Sequence, residues 1–141
     1  MSSNCIFCAI CAGETPAFKV YEDDIFLVIM DRFPTTQGHI LILPKRHSPD
    51  IFSLTDAEVA ALMPLTKRLA EKIKTELNPA GLNLLQNNGK AAGQEIFHFH
   101  IHLIPRYKGD GFKFSHIHND PPLTELEEMA KRLCIEKQEG F

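Results

Sequence analysis

The stretch HFHIHLI at residues 98–104 alternates imidazole and apolar side chains. Successive side chains of a β-strand point to opposite faces of the sheet, so residues 98, 100 and 102 share one face and residues 99, 101 and 103 share the other. The apolar set is suited to packing under a helix. Histidine favours neither strand interiors nor full burial, so folding alone does not explain three imidazoles in register. The pattern indicates a functional face.

Three interpretations of the histidine face are open. The first is a solvated sheet surface, although such a surface usually carries Thr, Lys or Glu. The second is a metal site made by all three rings, although zinc ligands must converge on one point and residues along one strand form a line. The third is nucleophilic and acid–base catalysis, in which neighbouring imidazoles take different roles. The residue pattern favours the third interpretation.

The flanking sequence predicts an α+β fold, with a mostly antiparallel five-stranded sheet, one long helix and a C-terminal helix. A T-x-x-E capping box at Thr55 and Glu58 begins the long helix, and apolar residues continue at helical spacing to Leu77. Pro64 should kink it or remove one hydrogen bond. A last helix begins near Thr124 and continues past Leu133. The predicted strands cover residues 18–22, 25–30, 39–43, 82–85 and 97–104.

Composition limits the class of protein. A chain of 141 residues, 44% hydrophobic and 23% charged, predicts a single domain over residues 1–141. The net charge of -3 and the pI of about 6.1 argue against nucleic acid as a partner. No apolar run reaches the ~18 residues that would cross a membrane, and no signal peptide is recognisable. We therefore expect a cytoplasmic protein whose clustered cysteines bind metal or pack in the core.

The sequence resembles the histidine triad (HIT) superfamily, and within it the Hint-like branch of small bacterial members. The signature is the pattern of alternating histidines at residues 98–104, and the flanking blocks follow in the order of the family. The resemblance covers roughly residues 5–107 and leaves 108–141 as a C-terminal extension. The flanking blocks are Ile6-Phe7, Asp23-Asp24, Asp31, Gly38-His39, Pro44-Lys45-Arg46-His47 and Asn87 through Gly93-Gln94.

The resemblance implies a purine nucleotide hydrolase or phosphoramidase with a covalent nucleotidyl-histidine intermediate. His100 is the implied nucleophile on the α-phosphorus, and His102 contacts the phosphoryl or leaving-group oxygens. No catalytic divalent metal is required, because fixed donors take its place. The implied nucleotide-binding residues comprise a ribose-binding carboxylate, apolar walls for the base and a loop facing the phosphate, with His102 also in contact. They are Asp31, then Ile6, Phe7 and Ile29, then Asn87, Gly93 and Gln94.

Glu95 and His39 stand apart from these assignments. Many Hint-like members carry a small hydroxyl residue before the triad, whereas this chain has Glu95, whose charge would repel phosphate unless it points away or meets Lys90. His39 is interpreted as a structural turn residue. The Gly-containing loop and Asp31 also have plainer explanations, as a hairpin turn and a turn cap.

A structural zinc site is also implied by the resemblance. Members that keep the pair Cys5-x-x-Cys8 use it together with histidines that correspond to His47 and His98. A Cys₂His₂ set closes the tetrahedral shell and leaves no open position. The alternative is two apolar core thiols, with the two histidines bonded to each other.

Two other functions would fit the same residues, and the resemblance also implies a quaternary structure. A dinucleoside polyphosphate hydrolase would use the same site on a longer substrate. A non-catalytic purine nucleotide-binding or scaffold protein would bind without turnover. Hint-like members are symmetric dimers, so we expect a homodimer with its seam near residues 82–86 and the long helix.

Overall fold

The structure, a computed structural model, describes residues 4–113 and 118–138. The predicted domain and its C-terminal extension include residues 1–3, 114–117 and 139–141, which lie outside the described residues. The helices are α1 (Ile6–Cys11), α2 (Asp56–Leu77) and α3 (Leu123–Leu133). The strands are β1 (Lys19–Glu22), β2 (Phe26–Met30), β3 (Ile40–Pro44), β4 (Gly81–Leu85) and β5 (Ile101–Arg106).

The five strands form one sheet in the order β1-β2-β3-β5-β4, and every neighbouring pair is antiparallel. The long helix α2 covers one face. Val28, Ile42 and Leu103 from the sheet belong to one buried cluster with Leu65 and Leu69 from α2. This confirms the predicted α+β fold and the helix-covered apolar face of the histidine segment.

A second helix, α1, covers part of the opposite face and was not predicted. Phe7 and Ile10 form a buried cluster with Leu27, Ile29 and Leu41. The helix has only 6 residues, which is too short for an apolar periodicity to show. Its position is fixed by contacts with distant strands, and it brings the N-terminal cysteines to the histidine segment.

The start of α2 follows the sequence prediction. The Glu58 N–H donates to Thr55 Oγ1 at 3.1 Å, and the Thr55 N–H donates to Glu58 Oε1 at 2.9 Å, which completes the capping box. Pro64 has no N–H for a helical bond, and α2 continues through it. Asn78 ends the helix in the left-handed conformation, with φ 45°.

The C-terminal helix α3 is shorter than predicted, because it ends at Leu133 and does not run past it. Cys134 has φ -59° and ψ 132°, which is an extended backbone conformation that cannot continue a helix. None of the side chains of α3 is buried. Among the described residues, none of the helices combines the length and the apolar content that crossing a bilayer requires.

The predicted strand over residues 97–104 was wrong at its start. Strand β5 begins at Ile101, so His98 and His100 precede it and only His102 lies within it. The reason lies in β3, because Pro44 has no N–H to pair and its carbonyl accepts a hydrogen bond from His98 Nε2 at 2.7 Å. The Phe99 N–H donates instead to the Ser48 carbonyl. The alternation persists, since Phe99 still joins the α2 cluster.

Candidate functional site

A cavity of about 1150 Å³ lies beside the histidines. It is bounded by α1, by the loop after β2 and by the loop that precedes β5. Its walls include every residue that the sequence suggested for catalysis or nucleotide binding. These are Ile6, Phe7, Ile29, Asp31, Asn87, Gly93, Gln94, His100 and His102. Folding therefore brings side chains from five separate parts of the sequence to one concave surface.

The tautomer of His100 is set by the main chain. Its Nδ1 lies 2.8 Å from the carbonyl oxygen of His98. A carbonyl only accepts, so Nδ1 carries the proton and Nε2 keeps the lone pair. Burial lowers the pKa of His100, although the bond to His98 and the charge of Asp31 partly oppose this. His100 is therefore a neutral imidazole with an available lone pair near neutral pH.

Two aromatic neighbours fix the orientation of the His100 ring. The Phe7 ring meets it edge to face, with centroids 5.1 Å apart. The His102 ring lies 5.0 Å away on the strand side. Such edge contacts leave little rotational freedom in a half-buried site. The helix α1 therefore supports the ring as well as forming a wall of the cavity.

His102 is also held neutral. Its pKa is lowered to about 4, mainly by burial and further by the nearby His100 and His39 rings, while Asp31 opposes the effect. Its Nδ1 lies 2.8 Å from Nε2 of His39. The side chain therefore enters the cavity as an uncharged ring that can exchange hydrogen bonds.

His39 contacts His102, whereas the sequence predicted only a role in a turn for it. It is buried, and its Nδ1 accepts a hydrogen bond from the Thr35 N–H at 3.0 Å, so the turn role is present. Its Nε2 also faces His102 and lies 3.4 Å from Asp31 Oδ2. The signal that could have found this contact is its position just before β3, because β3 and β5 are adjacent and Leu41 pairs with His102.

Asp31 combines both of the roles considered for it. Its Oδ1 accepts a hydrogen bond from the Phe33 N–H at 2.8 Å, which is the turn-capping role. Its Oδ2 lies toward His39, at 3.4 Å, and the residue lines the cavity. One carboxylate oxygen is therefore fixed by the backbone while the other faces the histidine group.

Gln94 supports the loop through its side chain. Its Oε1 accepts from the Gly89 N–H at 2.7 Å, and its Nε2 donates to the carbonyls of Pro49 and Ile96 at 2.6 and 3.1 Å. The residue is 3% exposed. Both N–H groups of the amide are therefore in use, so donation to a phosphate oxygen would break one of these bonds, and the contacts present hold the loop in place.

The loop also carries the position at which the chain departs from the family pattern. Gly93 has φ 89°, in the left-handed region that favours glycine, and lets the backbone turn at the cavity wall. Glu95 is exposed and lines the same cavity. Within residues 4–113 and 118–138, the structure gives no ion pair between Glu95 and Lys90. A negative side chain therefore faces the space near the histidines.

The four suggested zinc ligands lie together behind the histidine segment. Cys5 Sγ and Cys8 Sγ lie 3.3 and 3.6 Å from His98 Nδ1, and Cys8 Sγ lies 3.3 Å from His47 Nδ1. Sulfur and nitrogen atoms on one tetrahedral zinc ion stand about 3.6 Å apart, given bond lengths of ~2.3 and ~2.1 Å. The cluster therefore has the dimensions of a Cys₂His₂ centre.

The tautomer of His98 fits a metal ligand. Its Nε2–H donates to the Pro44 carbonyl, so the lone pair is on Nδ1, which faces the two cysteines. The ring is fully buried, and burial lowers its pKa and keeps it neutral, as ligation requires. The alternative, two histidines bonded to each other, is not what the structure has.

Similarity to known proteins identifies the family. The family model described as HIT domain matches residues 12–109. The chain belongs to the HIT family. This HIT protein is similar in sequence to the following two relatives. It is 46% identical over 112 residues to Protein hit of Bacillus subtilis, covering 79% of this chain and 77% of the relative. It is 44% identical over 110 residues to Adenylylsulfatase HINT3 of Arabidopsis thaliana, covering 78% of this chain and 56% of the relative.

Solved structures show the same fold. A HIT family protein from Bacillus anthracis has a TM-score of 0.86 at 41% identity, with 94% of this chain and 96% of that chain covered. A Zn-bound histidine triad family protein from Mycobacterium smegmatis has 0.73 at 38%, covering 92% and 91%. A histidine triad nucleotide-binding protein from Candida albicans has 0.83 at 32%, covering 92% and 94%. This chain therefore has the HIT fold.

Proposed function

We propose that this HIT protein is a purine nucleotide hydrolase or phosphoramidase that uses His100 as its nucleophile. The observation that carries the proposal is the bond from His100 Nδ1–H to the His98 carbonyl, which leaves Nε2 with its lone pair at the cavity. A nucleophile of this kind needs no separate base, because the neutral imidazole attacks directly. No divalent metal is needed for the chemistry, since fixed hydrogen-bond donors serve the developing charge.

The reaction has two displacements at the α-phosphorus. In the first, His100 Nε2 forms a bond to phosphorus as the bond to the leaving nitrogen or oxygen breaks, and the leaving group takes the bonding electron pair and a proton from bulk water. In the second, water adds to phosphorus as the bond to Nε2 breaks, the proton of that water is released to solvent, and the nucleoside monophosphate leaves. His102 donates a hydrogen bond to a phosphoryl or leaving-group oxygen. The site is regenerated unchanged.

Substrate binding is assigned to the walls of the cavity. Asp31 Oδ2 accepts from the ribose hydroxyls, and the apolar side chains of Ile6, Phe7 and Ile29 hold the base. The similarity to a structure named as a nucleotide-binding protein supports a nucleotide as ligand. The relative named Adenylylsulfatase HINT3 supports a reaction at an adenylyl group.

Zinc in the Cys5, Cys8, His47 and His98 cluster is proposed as structural. The ion would supply a closed tetrahedral link between α1 and the segment before β5, without an open position for substrate. The S···N distances of 3.3–3.6 Å and the Zn-bound relative support this assignment. His98 then has two tasks, because its ring is a ligand and its carbonyl orients His100.

A dinucleoside polyphosphate hydrolase is the second candidate, favoured by the size of the cavity. The volume of about 1150 Å³ exceeds the ~1,000 Å³ at the upper end of ordinary small-molecule sites. It therefore has room for a larger leaving group beyond the α-phosphate. Comparing kcat/KM for an adenosine phosphoramidate and for a diadenosine polyphosphate would separate the two candidates.

Trapping the intermediate tests the proposed function. We expect that protein mixed with adenosine 5′-phosphoramidate and denatured in alkali carries one adenylyl group on the peptide that contains His100. Alkali is chosen because a phosphorus–nitrogen bond to imidazole survives there. Mass spectrometry of the digested protein identifies the residue. An adduct on another side chain, or turnover with no adduct in rapid-quench samples, would contradict the proposal.

A homodimer is proposed from the family resemblance, supported by the exposed edge strand β4. Leu84 is 47% exposed on this edge, and Val59 and Met63 of α2 are also exposed. We expect sedimentation equilibrium to give twice the chain mass and Leu84→Glu to shift the equilibrium to monomer. Val20→Glu on the opposite edge, 45% exposed in the wild type, is the matched control. A monomeric wild-type protein would refute the proposal.

A further inference from the structure

A backbone amide determines which nitrogen of His39 carries its proton. The Thr35 N–H can only donate, and it lies 3.0 Å from His39 Nδ1. Nδ1 is therefore the acceptor, and in a neutral ring the proton sits on Nε2. Burial lowers the pKa of His39, against an opposing effect of Asp31, which agrees with a neutral ring.

The proton on His39 Nε2 determines the tautomer of His102 in turn. His39 Nε2 lies 2.8 Å from His102 Nδ1 and 3.4 Å from Asp31 Oδ2, so the shorter and stronger bond goes to His102. Nδ1 of His102 then accepts, and its own proton must sit on Nε2. The chain of bonds runs in one direction, from the Thr35 amide through His39 to His102.

His100 and His102 therefore have opposite tautomers. His100 is protonated on Nδ1 because it donates to the His98 carbonyl, and its Nε2 holds a lone pair. His102 is protonated on Nε2 because its Nδ1 accepts from His39. The two rings, with centroids 5.0 Å apart, thus divide attack and hydrogen-bond donation between them.

We infer that His39 is a positioning residue, which keeps His102 Nε2–H a hydrogen-bond donor to the oxygens of the reacting phosphate group. The inference rests on the proposed function, since it concerns the same site. Because His102 is neutral and holds one ring proton, its role is donation to developing negative charge and not transfer of the proton. A preset donor of this kind stabilises the transition state without reorganisation.

A metal ion is the competing explanation of the same side chains, because Asp31, His39 and His102 also group their ligand atoms closely. The distances decide against it. Two nitrogens on one tetrahedral zinc ion stand about 3.4 Å apart. The two imidazole nitrogens here are 2.8 Å apart, which is the length of a hydrogen bond. The shared particle between them is therefore a proton.

Two substitutions at His39 separate its positioning role from its turn role. Asn in place of His39 keeps an acceptor near the Thr35 N–H but has no donor that reaches His102. Gln extends an amide donor toward the position of Nε2. We expect His39→Asn to lower kcat for an adenosine phosphoramidate by ~10- to 100-fold with little change in KM, and His39→Gln to recover most of that loss. Equal activity of His39→Asn and wild type would overturn the inference.

Nitrogen-15 NMR of the ligand-free protein gives a readout that does not depend on turnover. We expect His102 of the wild type to be protonated at Nε2 and His100 at Nδ1. Protonation of His102 at Nδ1 overturns the inference, even if His39→Asn fails to fold. Should no adduct form on His100 while the tautomers are as expected, the proposed function fails and the assignment of His39 stands.

A zinc titration of the wild type and His39→Asn tests the metal explanation. We expect both proteins to bind the same number of zinc ions, because only the cysteine-containing cluster takes the metal. An additional zinc ion in the wild type that is lost in His39→Asn would show that the group binds metal and would overturn the inference.

Discussion

Replacing His100 by alanine is expected to lower kcat/KM for an adenosine phosphoramidate by ~10⁴-fold or more, because the nucleophile is removed and water must attack phosphorus directly. Nucleotide affinity should fall much less, since Asp31 and the apolar walls remain. Steady-state kinetics and calorimetric titration with a nucleoside monophosphate measure the two effects separately. The adenylyl adduct should also disappear.

The control for this experiment is His118→Ala, which removes an exposed histidine that is not among the residues lining the cavity. It should have wild-type kinetics. If His100→Ala keeps activity within a few-fold of wild type, the nucleophile is assigned to the wrong residue. If the wild type itself binds nucleotide and does not turn over, the chain is a binding module, and the exposed Glu95 in the cavity becomes the first residue to exchange for serine.

Replacing Cys8 by serine is expected to remove stoichiometric zinc and to lower the free energy of unfolding by roughly 3 kcal/mol or more, because metal binding contributes directly to the folded state. Cys8 is the sharper choice of the two cysteines, since its Sγ lies near both His47 and His98. Metal analysis of reduced protein and urea denaturation measure the two effects.

The matched control is Cys11→Ser, a half-buried cysteine outside the four-residue cluster. Burial, with the neighbouring Cys8 thiol, raises the pKa of Cys11 to about 11, so it remains a thiol near neutral pH. This variant should keep its zinc and most of its stability. Wild-type protein that contains no zinc, with stability unchanged in Cys8→Ser, would refute the metal centre.

The regular elements of this HIT protein could be predicted because their signals are local. The T-x-x-E box begins α2, and the alternation at residues 98–104 marks the faces of the last core strand. The point at which β5 begins could not be read in this way. It depends on Pro44 in a neighbouring strand, whose missing N–H and occupied carbonyl end the pairing early.

The site was predictable as a set of residues but only partly as a set of contacts. The family pattern supplied the residues that line the cavity, and the structure brings them together. The partner of His102 was missed, because the contact with His39 joins positions 63 residues apart. Gln94 lines the cavity, but the sequence did not reveal that its amide is also bonded to the backbone of Gly89, Pro49 and Ile96. The contact of His39 follows only once β3 and β5 are placed side by side, and the bonds of Gln94 depend on how two loops meet, so both need the tertiary structure.

The imidazoles of His100 and His102 differ in how easily a mutation can change their tautomers. The group that sets the His100 proton is a peptide carbonyl, which any amino acid at position 98 would still provide. The group that sets the His102 proton is a side chain, which a single codon change can delete. A substitution at position 39 can therefore remove the bond that sets the His102 proton while His100 keeps its own bond. Weakening the acceptor of His100 takes a change in the main chain, such as an ester in place of the amide after residue 98.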